Sequence, residues 1–131
     1  MFQHRGIWSN INFIAENLRD LPRIIDFLFD KFDIPEIRCE IIFHARPKPE
    51  FLGTQIALSI DPKSGGQDVT YYQRIDFQFA HELSHAIQFH QGCIKLERLP
   101  LEHPAEIEAR ELARTIMHEL LGYKNYDVTS S

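Results

Sequence analysis

Two histidines and a glutamate define the chemistry open to this sequence, because His81-Glu82-Leu83-Ser84-His85 reads HExxH. On an α-helix a separation of four residues stacks the two imidazoles one turn apart on one face, where two nitrogens can meet one metal ion. Glu82 lies beside them but out of line, which suits a carboxylate that takes a proton from water better than one that ligates. Phe79, Ala80, Leu83, Ala86 and Ile87 supply the apolar side that buries such a helix, and this context argues against a chance occurrence of three letters.

A catalytic zinc has three protein ligands and an open position, so a third ligand is required. The metzincin continuation is excluded, since Gln88 and Gln91 stand where its glycine and third histidine belong. The downstream candidates are His90, Glu97, Glu102, His103, Glu106, Glu108 and Glu111. His90 follows His85 by five positions, about 140° round the helix, and cannot readily share the metal face. In the last helix Ala109, Leu112, Ala113, Ile116, Met117 and Leu120 form an apolar stripe, and Glu106 falls within about 50° of its centre. A carboxylate aimed at a core is costly unless paired or coordinated. Metal ligation by Glu106 removes that cost, and an ion pair with Arg110, one turn along, is the competing explanation. The small residues Ala109 and Ala113 on the same face would let this helix approach the histidine helix closely. Glu108, at the rim of the stripe, is the reserve ligand. Zinc is the expected metal, although manganese or iron would also accept two imidazoles and a carboxylate.

The elements that must hold these residues can be read from periodicity. Ile11, Ile14, Leu18, Leu21, Ile25, Leu28 and Phe29 recur at threes and fours, which predicts a helix from Ser9, as N-cap, to Phe32, kinked or divided at Pro22. Ile37 to Ala45 reads as a strand ended by Pro47 and Pro49, and Gly53 to Asp61 as a second strand, possible as a sheet edge. Pro62 to Gly66 is a turn or loop by composition, followed by a short strand over Val69 to Tyr72. The HExxH helix is expected over Arg74 to Gln91, stopped by Gly92, and the glutamate helix from Pro104 to Leu121, closed by Gly122.

The chain of 131 residues, 44% hydrophobic, supports one core, and residues 1–131 are read as a single domain. A formal charge of -5 and a pI near 5.8 give no reason to expect nucleic acid or an anionic membrane as partner. No segment has the length and apolarity of a membrane span, Met1 to Asn10 lacks the pattern of a signal peptide, and Cys39 and Cys93 read as two free thiols, so a cytoplasmic location is expected.

Ala80-His81-Glu82-Leu83-Ser84-His85, followed by Glu106-Ile107-Glu108-Ala109-Arg110-Glu111-Leu112-Ala113, resembles the ImmA/IrrE-type metallopeptidases and the related minigluzincins, over roughly residues 37–121. The resemblance implies an α+β fold. Its small, mostly antiparallel sheet of three to four strands would pack on the HExxH helix and a C-terminal glutamate helix, with an N-terminal helix. Carried over residue by residue, it implies His81, His85 and Glu106 as ligands of Zn2+ and Glu82 as the catalytic base in hydrolysis of a protein or peptide substrate. ImmA-like proteins often act on transcriptional repressors, which suggests a regulatory protein as partner. The family's Asn or Asp falls at Arg110 here, so another group must orient the zinc histidine. Tyr71, Tyr72, His103 and Tyr123 are candidates to stabilise an oxyanion. The Gly53 to Asp61 strand, if it is the edge nearest the site, could pair with an extended substrate. Two alternatives stand beside this reading: a SprT-like peptidase with His103 as third ligand, and a non-catalytic protein that binds zinc or a partner through the same helices.

Overall fold

The computed structural model describes residues 1–61 and 70–123. The first ten residues form a hairpin of β1 (Phe2–His4) and β2 (Ile7–Ser9), paired antiparallel from Phe2↔Ser9 to His4↔Ile7. Its two-residue turn has positive φ at both Arg5 (48°) and Gly6 (89°), the sense of turn that matches strand twist. A Cβ on Gly6 would overlap the Ile37 carbonyl oxygen, so that position admits only glycine. Arg5 is held in its unusual conformation by its side chain, which donates to Asp26, Asp30 and the carbonyls of Ile34 and Pro35. Strands of three residues are too short for a period of two to show in sequence.

The expected helix from Ser9 to Phe32 is therefore shorter than its apolar stripe. Ser9 ends β2, where its hydroxyl donates to the Ile41 carbonyl and accepts from the Ile11 amide. Residues Asn12–Asn17 form a 3-10 turn, and α1 runs only over Asp20–Lys31. Pro22 does not kink α1: it lies in the first turn, where backbone N–H groups have no intrahelical acceptor and proline costs little. Leu21, Ile24, Ile25, Leu28 and Phe29 are fully buried. Burying each such side chain contributes roughly 1.5–3 kcal/mol.

The connection through α1 joins β2 to β3 (Cys39–His44) in parallel, which needs a crossover of about a dozen residues or more. The chain then makes β4 (Glu50–Phe51), turns, and returns as β5 (Gln55–Ser59), antiparallel to β4 and parallel to β3. The fold is α+β with a five-stranded mixed sheet in the order β1-β2-β3-β5-β4. The expected antiparallel pairing is confined to the two margins, and parallel pairs form the centre, because the unrecognised β2 starts one crossover and the unrecognised β4 lies within the other.

Two further expectations change. The Gly53 to Asp61 segment is not an edge: β5 lies between β3 and β4, and the two-residue β4 is the edge. Beyond the reach of β4, the Ser59 N–H donates to Gln78 Oε1 (2.7 Å) and its carbonyl accepts from Gln78 Nε2 (3.3 Å), so a side-chain amide stands in for a strand. The Pro62 to Gly66 loop lies outside the described residues, and the expected strand over Val69 to Tyr72 does so in part; Tyr71 and Tyr72 begin α2 (Tyr71–His90). Thr70 caps that helix, accepting from the Gln73 amide while Gln73 Oε1 accepts from the Thr70 amide. This Thr-x-x-Gln signal explains the early start.

After a connection, α3 (Pro104–Thr115) begins with proline at its first position and ends in a π turn, Ile116–Leu120. Ala109 and Ala113 are fully buried, and their small side chains admit α3 close to α2. Residues of the sheet, α1, α2 and α3 share one hydrophobic core. Cys39 is buried within it, with burial and then Glu40 pushing its thiol up to about 12; Cys93 is exposed, and both are free thiols. Among the described residues no helix is long and apolar enough to cross a membrane.

Candidate metal centre

The central helix α2 is buried on every side from Ile75 to Gln88, and that stretch includes Asp76, Gln78, His81, Glu82, Ser84, His85 and Gln88. Polar side chains in such a place are costly unless satisfied. Gln78 seals β5, and the Ser84 hydroxyl donates to the Ala80 carbonyl one turn back. The remaining polar groups of α2 gather into two clusters, and the one at its C-terminal half carries HExxH.

One turn apart, the His81 and His85 rings have centroids 4.9 Å apart. Between them Glu106 reaches in from the first turn of α3, with Oε1 2.8 Å from His81 Nε2 and Oε2 2.8 Å from His85 Nε2. Three ligand atoms, one from each of these residues, lie within 4.8 Å of one another. The competing ion pair for Glu106 does not form: Arg110 donates instead to the Leu101 carbonyl, and the Glu106 carboxylate faces the histidines. Burial works to raise the Glu106 pKa, but contacts with His81 and His85 outweigh it and hold the carboxyl well below the usual range. Burial likewise works to lower that of His85, and Glu106, Glu82 and Gln88 together raise it.

The residues fit a metal by their donor chemistry. Two imidazole nitrogens with one carboxylate are the donor set of a catalytic zinc. Moreover, His81 Nε2 is buried and, for all its closeness to Glu106, makes no hydrogen bond. A buried nitrogen without a partner is costly, and coordination removes the cost. Glu82 is buried, and burial raises its pKa; His81 and His85 pull it down, while Glu106 and Glu50 push it further up. A carboxyl raised in this way holds a proton more readily than an exposed one, which suits a base that must pass its proton on.

Sequence reasoning left open which group orients a histidine, since Arg110 stands where the ImmA/IrrE-type motif that the sequence resembles has Asn or Asp. The structure supplies Gln88, whose Oε1 is 2.8 Å from His85 Nδ1. Its Nε2 donates to the Ala105 carbonyl (2.8 Å) and to Glu108 Oε1 (2.9 Å). Glu108, the reserve ligand, thus touches Gln88 and stands outside the group of three. His90 is exposed, as are Glu97, Glu102 and Glu111. His103 caps α3, its Nδ1 accepting from the Ala105 amide.

Hydrogen bonds and ring contacts tie the four oxyanion candidates to other partners, His103 to the start of α3. Tyr123 donates toward Asp20 Oδ2 (3.0 Å) and Asp76 Oδ2 (3.3 Å) and packs edge-on against Tyr72. Tyr71 stacks under Arg74 at the start of α2. Those residues belong to the second cluster of α2 or to its N-terminus. No protein-family model, curated protein or solved structure matches this chain.

Proposed function

We propose that the chain is a zinc-dependent peptidase that hydrolyses a peptide bond in a protein or peptide substrate. The observation that carries this reading is the convergence of His81, His85 and Glu106 beside a buried Glu82 whose pKa is raised. His81, His85 and Glu106 would hold the metal. Zinc, when bound, supplies a Lewis acid that lowers the pKa of water and polarises a carbonyl. Glu82 takes the proton of the attacking water and passes it to the leaving amine, and its burial keeps that proton from bulk solvent. The ImmA/IrrE resemblance favours a regulatory protein as substrate, and free Cys39 and Cys93 agree with a reducing compartment.

Strand addition at β4 is the binding mode this sheet best supports. Phe51 lies opposite Ile56 between two hydrogen-bonded positions, as the Leu52 N–H to Gln55 carbonyl bond shows, so the N–H and C=O of Phe51 face outward from the sheet. Glu50, its neighbour in β4, is near enough to influence Glu82. An extended peptide pairing with Phe51 would therefore pass close to the base.

Elemental analysis of purified protein tests the metal, with wild type beside His85→Ala and Glu106→Ala. The expected result is about one zinc per chain, lost or much reduced in both variants. Wild-type protein that holds no metal and takes up none on addition of zinc would refute the reading. Zinc bound without cleavage of any peptide or protein would move the assignment to a non-catalytic zinc- or partner-binding role.

A further inference from the structure

Gln88 has no place in the HExxH pattern, yet it is 3% exposed and all its polar atoms are engaged. Its amide nitrogen faces two acceptors, the Ala105 carbonyl and a Glu108 carboxylate oxygen. Turning the amide over would set its oxygen against both, so the amide has one tenable orientation. In that orientation Oε1 faces His85 Nδ1, and an oxygen that can only accept requires Nδ1 to carry the proton. That leaves Nε2, which points to Glu106 and the metal position, as the nitrogen of His85 available to a metal.

From this chain of contacts we infer that Gln88 is the positioning residue of the metal centre: it fixes the tautomer and ring plane of His85, and α3, through Ala105 and Glu108, fixes Gln88. The inference rests on the metallopeptidase reading for its purpose. It accounts for the departure at Arg110, because the orienting partner has moved from the glutamate helix to the histidine helix, one turn beyond the ligand it serves. An uncharged amide in this role adds no negative charge behind His85, so the imidazole would be a weaker donor to a metal than one backed by a carboxylate. The same contacts join the two ligand helices: the carboxylate two residues beyond Glu106 on α3 holds the amide that holds His85.

Two measurements on Gln88→Met, which keeps length and apolar volume but has no amide, test the inference. Long-range 15N–1H NMR of zinc-loaded protein reads the His85 Nδ1 proton. The expected result is an Nδ1–H slow to exchange with solvent in wild type and fast in Gln88→Met, which offers it no amide acceptor. Competition with a chelator for zinc reads affinity, expected to fall about ten- to a hundredfold in Gln88→Met. The exchange Gln88→Glu with Glu108→Gln restores an acceptor for Nδ1 and a donor to hold it, and should return affinity to the wild-type level or above. The same Nδ1–H exchange in wild type and Gln88→Met, or an unchanged affinity, would overturn the inference, and so would an exchange variant as weak as Gln88→Met. Wild type that binds no zinc would instead defeat the functional reading, and Nδ1–H exchange in the metal-free protein would then decide whether Gln88 holds His85.

Discussion

Five residues apart on α2, Asp76 and His81 open two buried polar clusters that are held together by opposite means. In the first, Asp76 accepts from Asn17 Nδ2 (2.7 Å) and meets Tyr123, which also reaches Asp20. Burial, with the neighbouring Asp20 adding to it, pushes the Asp76 carboxyl up to about 9, so at neutral pH this cluster carries a proton between two carboxyl groups. In the second, Glu106 is held ionised between two imidazoles whose ring nitrogens converge on it. The first cluster pairs its carboxyl groups with a proton, a phenol and an amide N–H, and leaves Asn17 Oδ1 without a partner. The second gathers two imidazole nitrogens and a carboxylate around one point and leaves His81 Nε2 without a hydrogen bond. Neither burial nor one unpartnered atom therefore marks a functional site; what separates the two is whether ligand atoms converge on one point.

The largest expected effect that would separate the clusters is on turnover. Glu82→Gln should lower kcat about 10²- to 10⁴-fold while zinc content stays at the wild-type level. A variant within tenfold of wild type on a cleaved substrate would remove Glu82 from its role as base. At the other cluster, Asp76→Asn should act on stability and leave zinc affinity unchanged. The sign follows from the raised pKa: between about 4, the unfolded value, and about 9, the folded chain binds a proton that the unfolded chain has lost. Stability contributed by Asp76 is therefore full below about pH 4 and is lost as pH rises towards the folded value. The amide of Asn copies the neutral carboxyl, so the variant should melt higher than wild type at pH 8, by roughly 1–3 kcal/mol in stability, with a flatter profile of Tm against pH. Equal slopes in the two proteins would mean that Asp76 is ionised in the native state. Smallest is Tyr123→Phe, which removes the hydroxyl shared by Asp20 and Asp76; a loss of about 1–2 kcal/mol in urea unfolding is expected, with zinc binding intact. A change in zinc affinity there would show that the clusters are coupled through α2.

The two clusters also differ in how far the sequence announced them. His81, Glu82 and His85 lie within one turn and a third of a helix, so spacing alone gave their shared face. Glu106 was legible because it interrupts an apolar stripe, and the structure places it against both histidines. Gln88 stood in plain view, counted only as the residue that excludes a metzincin. Its role depends on Ala105 and Glu108, 17 and 20 positions away, and no local pattern carries that contact. The Asp76 cluster was invisible for the same reason, since Tyr123 and Asp20 are 103 positions apart. In the fold, the strands within Ile37 to Ala45 and Gly53 to Asp61 and the helices α2 and α3 followed from periodicity. The hairpin β1–β2 and the edge β4 did not, because elements of two or three residues leave no period, and without β2 and β4 the parallel centre of the sheet could not be anticipated.

Where β4 stops, a side chain of α2 finishes the sheet. The Gln78 amide offers one acceptor and one donor, the same pair that a peptide group presents, and it occupies the backbone of Ser59. Among the described residues, β4 is the outermost strand on this flank. A foreign chain arriving there finds a berth about two residues long, which leaves little room to slide. Open-ended stacking of copies, the route by which exposed edges seed fibrils, needs a longer row of free groups than this flank provides. One helix thus carries both the proposed chemistry and the stopper that keeps the neighbouring sheet from growing.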